Sequence, residues 1–252
     1  MEIIETVFVR NNLIVAFAVV GCVTWISYFL AKKLTNNRIH GSAIAIALGL
    51  VAAYYGGITT GGSKGVADIA LLGGIGLMGG GMMRDFAIVA TAFGVQFSEL
   101  RKAGLAGVIS IFAGVIVSFV VGAVVAILFG YTDAASITTI GAGAVTYIVG
   151  PVTGEAIGAS NEVITLSVAA GLVKSILVMI GTPLVATYIG LNNPQSAMVF
   201  GGLMGTTSGV AAGLAATDPR LVPYGAMTAT FYTGIGCLLG PSILFFIVSS
   251  IY

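Results

Sequence analysis

The sequence predicts an all-α polytopic membrane protein, and three observations carry that prediction. Charge is scarce, apolar residues come in runs long enough to cross a bilayer, and two of those runs are broken by glycine, proline and hydroxyl residues. Of 252 residues only 8% are charged while 58% are hydrophobic, with a mean hydropathy of +1.09. Soluble domains carry roughly a quarter charged residues, so a globule of this composition could not solvate its own surface. The net charge of +1, with no long basic block, points to no nucleic-acid partner.

A helix rises about 1.5 Å per residue, so roughly 20 apolar residues span the hydrocarbon core. On that measure about eight hydrophobic segments follow one another: 13–31, 43–60, 69–97, 103–130, 136–154, 163–190, 196–217 and 221–252. The third is interrupted by Arg84 and Asp85. They read as one integral membrane transport domain over 1–252. The loop KKLTNNRIH (32–40) holds three of the ten basic residues and ELRK (99–102) two more, which places both in the cytoplasm and the N-terminus outside. The acidic stretch MEIIETVFVRNN carries no sign of a cleavable signal. Cys22 and Cys237, both within apolar runs, read as small buried hydrophobes, and the single His40 lies in a charged loop.

The C-terminal half repeats itself weakly at a spacing of about 60 residues, over 136–190 and 196–252. SITTIGAGAVTYIVGPVTGEAIGASNE and SAMVFGGLMGTTSGVAAGLAATD are each followed by a long apolar run containing Gly-Pro or Gly-Thr-Pro. The glycine-rich segments around 136–161 and 196–218 are expected to be broken or re-entrant. A re-entrant segment plus one span crosses the membrane once, so the second copy would be inverted. Inverted repeats with broken helices meeting near the midplane mark secondary transporters.

The breaks supply the candidate chemistry. In YIVGPVTGEAIG (147–158), Pro151 behind Gly150, followed by Thr153 and Gly154, is expected to interrupt the helix. In GTTSG (205–209), Thr206, Thr207, Ser208 and Gly209 do the same. A break creates a helix N-terminus with free amides and a partial positive charge of about half a unit, which suits an anion. Unwound carbonyls and hydroxyls suit Na⁺. Lys174, deep in its apolar run, and Arg84 are the candidate counter-charges for an anionic substrate. Thr146, Asn161, Glu155, Asp85 and Asp218 are the candidate Na⁺ ligands. The competing reading makes the small residues helix-packing positions, Lys174 a structural ion pair with Glu155, Glu162 or Asp218, and Asp218, before Pro219, a helix cap.

The stretches GGSKGVADI, GLMGGGMMRDFAIVATAFG, TTIGAGAVTYIVGPVTGEAIGAS and NPQSAMVFGGLMGTTSGVAAGLAATD closely resemble the MadM subunit of the malonate/sodium symporter, and the resemblance covers essentially the whole chain. It implies uptake of malonate with Na⁺ as coupling ion at the bacterial inner membrane. It also implies a partner, the small membrane subunit MadL, with room for a higher oligomer of the pair. DFAIVATAFGVQFSELRKAG is loosely similar to a turn of cation/proton antiporters and sodium–carboxylate symporters, which favours an elevator-like arrangement. Malonate is a small dianion, and two broken-helix tips facing each other offer it two positive ends. Two rival functions remain at this stage. One is a scaffold that only holds a substrate-binding partner; the other is an intramembrane hydrolase built on Ser208. No H-E-x-x-H or Gly-x-Ser-x-Gly supports an enzyme.

Overall fold

The computed structural model describes residues 2–36, 41–62, 64–78 and 97–252, which form two compact units divided after Phe93. No strand occurs among the described residues. In the first unit α1 (Glu2–Arg10) and α2 (Asn12–Thr35) are separated at Asn11, and α3 (Gly41–Thr60) packs on α2. Short 3₁₀ turns follow at Gly65–Asp68 and Ala70–Leu72. Arg84, Asp85 and His40 lie outside the described residues, as does most of the expected 69–97 segment. Trp25, Phe29 and Val51 project from α2 and α3 as exposed apolar groups, the arrangement of lipid-facing helices. Cys22 is on that exposed face rather than buried, and Cys237 is half-buried.

The second unit carries the breaks. It begins with α4 (Phe97–Leu128), which kinks at Gly104, where φ is 66°. Then come α5 (Ala134–Val145), α6 (Val149–Ile157) and α7 (Asn161–Val185). After them come α8 (Pro194–Met204), α9 (Thr207–Ala215), α10 (Val222–Leu239), a π turn at Gly240–Leu244 and α11 (Phe245–Ser249). Four helical stretches are long and apolar enough to cross a membrane: Asn12–Leu34, Gly104–Leu128, Asn161–Val185 and Pro219–Ser249. Ile44–Thr60 and Ala134–Val145 are apolar but shorter.

Local chemistry explains where these helices start. Asp133 caps α5 by accepting from the Ser136 amide at 2.8 Å. Asn193 does the same for α8 through the Ser196 amide at 3.0 Å, within a capping box and with Pro194 in the first turn. Ser160 caps α7. Asp218 caps the short turn before α10 and pairs with Arg220 at 2.9 Å, so it takes the capping role that Pro219 suggested.

The first break falls at 146–148, upstream of the Gly150-Pro151 pair expected to cause it. Both residues sit in the first turn of α6. In the first turn a missing amide costs no helical bond, so Pro151 marks where the helix restarts, while the interruption itself is at the extended Thr146. The second break falls at Gly205 and Thr206, inside GTTSG as expected.

Within this unit α4 packs against α5, α8 and α10, α7 against α5, α6 and α9, and α10 against α8 and α9. One buried core joins Val115 and Phe119 of α4 to Ile137 and Val145 of α5 and Phe231 of α10. A second joins Phe200 of α8 to Val210 and Leu214 of α9 and Ala229 of α10. The backbone at Tyr147 can approach α7 because position 171 is glycine; a Cβ there would lie 2.2 Å from the Tyr147 nitrogen.

Candidate functional site

Each break is built from a threonine that restarts the helix. The Thr146 hydroxyl accepts from the amides of Ile148 and Val149, both at 3.2 Å. The Thr206 hydroxyl accepts from the Gly209 amide at 3.4 Å. Both threonines are buried, at 2% and 1% exposure. Thr207 and Ser208 occupy the first turn of α9 and remain partly accessible. The two tips meet where the Tyr147 hydroxyl lies 3.4 Å from the Ser208 hydroxyl.

Lys174 is the charge at this junction. Its ammonium donates to the Val145 carbonyl at 2.9 Å, to the Ser118 hydroxyl at 2.9 Å and to the Tyr232 hydroxyl at 3.0 Å, and it sits 5.0 Å from the centre of the Tyr232 ring. An ammonium has three N–H donors, so all are engaged. Val145 ends α5, and a cation there complements the negative end of the helix dipole. The Tyr232 hydroxyl in turn donates to the Gly114 carbonyl at 3.2 Å, tying α10 to α4. Lys174 thus holds four elements, α4, α5, α7 and α10, at the first break.

The other residues singled out in the sequence separate into two groups. Thr146, Lys174, Thr206 and Ser208 are drawn to the junction by the contacts above. Gly150 and Gly154 turn towards α7, where a Cβ would lie 2.4 Å from the Ser167 hydroxyl and 2.6 Å from Ile164 respectively, so they permit close packing. Thr153 is fully buried against the π turn; its hydroxyl has no hydrogen-bond partner among the described residues, and a Cβ on Gly240 would lie 2.2 Å from it. Glu155 lies in the last turn of α6, Asn161 starts α7 about 20 Å along the helix from Lys174, and Asp218 is paired with Arg220. Among the described residues, Asn161 bonds within α7 to Thr165 and Asp218 to Arg220, away from the breaks.

Sequence reasoning missed Tyr147, Ser118, Ser175 and Tyr232. Ser175 on α7 is fully buried and its hydroxyl contacts that of Thr206 directly. A serine next to a lysine deep in an apolar run was the available signal for Ser175.

A groove of about 960 Å³ opens between α4 and α7, with Ile140, Phe200 and Met204 on its wall and Lys174 at its floor. Its lining is otherwise almost entirely carbon, which suits acyl chains and not a dianion. The polar junction at the tips is the better candidate for an anion.

Several apolar spans and two broken helices that meet at Tyr147 and Ser208 define a multi-pass membrane protein with the features of a transporter. The family described as malonate/sodium symporter MadM subunit matches residues 4–252, and the chain belongs to that family. It is a family of transporter subunits, not of enzymes. No curated protein and no solved structure matches the chain.

Proposed function

We propose that this chain forms the malonate path of a Na⁺-coupled importer in the bacterial cytoplasmic membrane, working with the small subunit MadL. The observation that carries the reading is the junction itself: two helix N-termini, each restarted by a buried threonine, meeting at Tyr147 and Ser208. Each N-terminus offers free amides and about half a positive charge. Malonate has two carboxylates one carbon apart, so two such ends match it without a large pocket. Thr207 and Ser208, in the first turn of α9, serve one carboxylate, and the start of α6 serves the other. Lys174 contributes its charge through the field and holds the first break open, since its three N–H groups already have acceptors.

The same caps and breaks recur in 136–190 and 196–252, which supports reading the two stretches as an inverted repeat and the motion as elevator-like alternating access. The coupling follows from linkage. If sodium and malonate organise the same tips, each raises the affinity for the other by the same factor. The N-terminus is placed outside and the loop after α2 in the cytoplasm by its basic residues.

Labelled malonate uptake into proteoliposomes, with this chain alone and with its partner subunit, tests the reading. Accumulation that requires an inward sodium gradient and both subunits is the expected result. Uptake that survives alanine at both Thr207 and Ser208 would instead make the chain a scaffold for a substrate-binding partner.

A further inference from the structure

We propose that the carbonyl end of α8 holds a sodium ion, bound by the Gly205 carbonyl oxygen and the hydroxyls of Ser175 and Thr206. The proposal rests on the sodium-coupled reading and supplies it with an ion position.

A break in a helix frees a carbonyl on the upstream piece. In a continuous helix the Val149 amide would return to the Val145 carbonyl, and the Gly209 amide to that of Gly205. Here the hydroxyls of Thr146 and Thr206 take those two amides. At the first break the freed Val145 carbonyl receives the Lys174 ammonium. At the second, no hydrogen-bond donor among the described residues reaches the Gly205 carbonyl. The ring of Tyr232 lies against Gly205; a Cβ there would come within 2.1 Å of a ring carbon. Its hydroxyl is directed to Gly114 instead.

The second break therefore leaves a buried carbonyl, at the negative end of a helix, with nothing to offset it. In a membrane interior such a group is kept only beside a partner or a ligand. The next residue in the chain is Thr206, 1% exposed, and its hydroxyl contacts that of Ser175, 0% exposed. One carbonyl and two hydroxyls form a hard, uncharged oxygen set, suited to an alkali cation and not to a transition metal. Broken-helix transporters coordinate Na⁺ at such carbonyl ends. Three oxygens do not saturate the ion, and its open positions go to water or to a carboxylate oxygen of the substrate. Lys174 is then a built-in cation at one break, and sodium is its exchangeable counterpart at the other.

The test uses the assembled complex with its partner subunit. Thermal unfolding in detergent is followed while NaCl replaces choline chloride, without malonate, and malonate uptake is measured against sodium concentration in liposomes. Sodium should stabilise the wild type where potassium and choline do not. Ser175→Ala should raise the half-saturating sodium concentration in both assays at least about 10-fold, with half-saturation for malonate at high sodium within about twofold of wild type. If that variant does not assemble, Ser175→Cys keeps the side-chain shape and replaces the oxygen by a soft sulfur. Thr233→Ala, which removes a hydroxyl bonded only within α10 to the Ala229 carbonyl among the described residues, should leave sodium affinity unchanged. Unaltered sodium affinity in both Ser175 variants, with wild-type uptake still sodium-driven, would overturn this site and leave the coupled reading standing. Wild-type uptake indifferent to sodium would overturn the coupled reading itself.

Discussion

Lys174 and Gly205 are the residues on which the junction turns. Replacing Lys174 by methionine leaves three oxygens, on Val145, Ser118 and Tyr232, without their donor. The buried Val145 carbonyl is then unpaired, at a cost of about 1–3 kcal/mol, while the Tyr232 hydroxyl keeps its bond to Gly114. The Lys174→Met complex should unfold at a clearly lower temperature and lose malonate uptake, measured by thermal unfolding and by transport; an unchanged melting temperature would refute the strut. Gly205 stands at a φ of 71° and touches the Tyr232 ring. A left-handed backbone costs an ordinary residue roughly 1–2 kcal/mol before any clash. Gly205→Ala should therefore destabilise by at least about 2 kcal/mol, and chemical denaturation of the purified complex would measure it. Lys174 could be picked out of the sequence because a charge deep in an apolar run is conspicuous. Its partners could not, because a serine, a tyrosine and a backbone carbonyl on three other helices leave no mark on the run itself.

At the scale of the elements, the caps make a pH-dependent prediction. Partial burial opposes ionisation of Asp133, but the hydrogen bonds from Ser136 more than offset it and hold the carboxyl below its ordinary value of 3.8. Because the folded-state value is the lower one, the cap contributes fully above that ordinary value. Its contribution is lost as the pH falls through the folded value. Asp133→Ala should cost about 1 kcal/mol at neutral pH, while Asp133→Asn should keep most of the cap and lose its share of the acid sensitivity. Asp218, held down first by its hydrogen bond from Arg220, follows the same sign. Thermal unfolding at pH 7 and at low pH separates these variants. The capping residues could be read in advance, since Asp133-x-x-Ser and Asn193-Pro-x-Ser are local patterns. The position of the first break could not be read so well, because proline is tolerated in a helix's first turn and so marks the restart after the break rather than the break itself.

For the whole molecule, lipid contact and orientation are the testable features. The chain has a single tryptophan, Trp25, 70% exposed on α2 and stacked on Phe29. Its fluorescence should be quenched by brominated lipid in reconstituted membranes; lack of quenching in the assembled complex would mean that a partner covers α2. A cysteine placed at Asn36, in a background without Cys22 and Cys237, should react with a membrane-impermeant reagent only from the cytoplasmic side. Reaction from outside would reverse the orientation drawn from the basic loops.

Composition by itself determined that this protein lives in a membrane, because 8% charged residues cannot cover a globule. Long matching strings determined its family, and glycine, proline and threonine determined that two helices break. What only the tertiary structure decided is which groups meet there. Lys174 lies on Val145, Ser118 and Tyr232, and Ser175 lies on Thr206, across separate helices. Breaks are local and follow from backbone chemistry within a few residues. The partners of a freed carbonyl come from distant helices, and packing alone selects them.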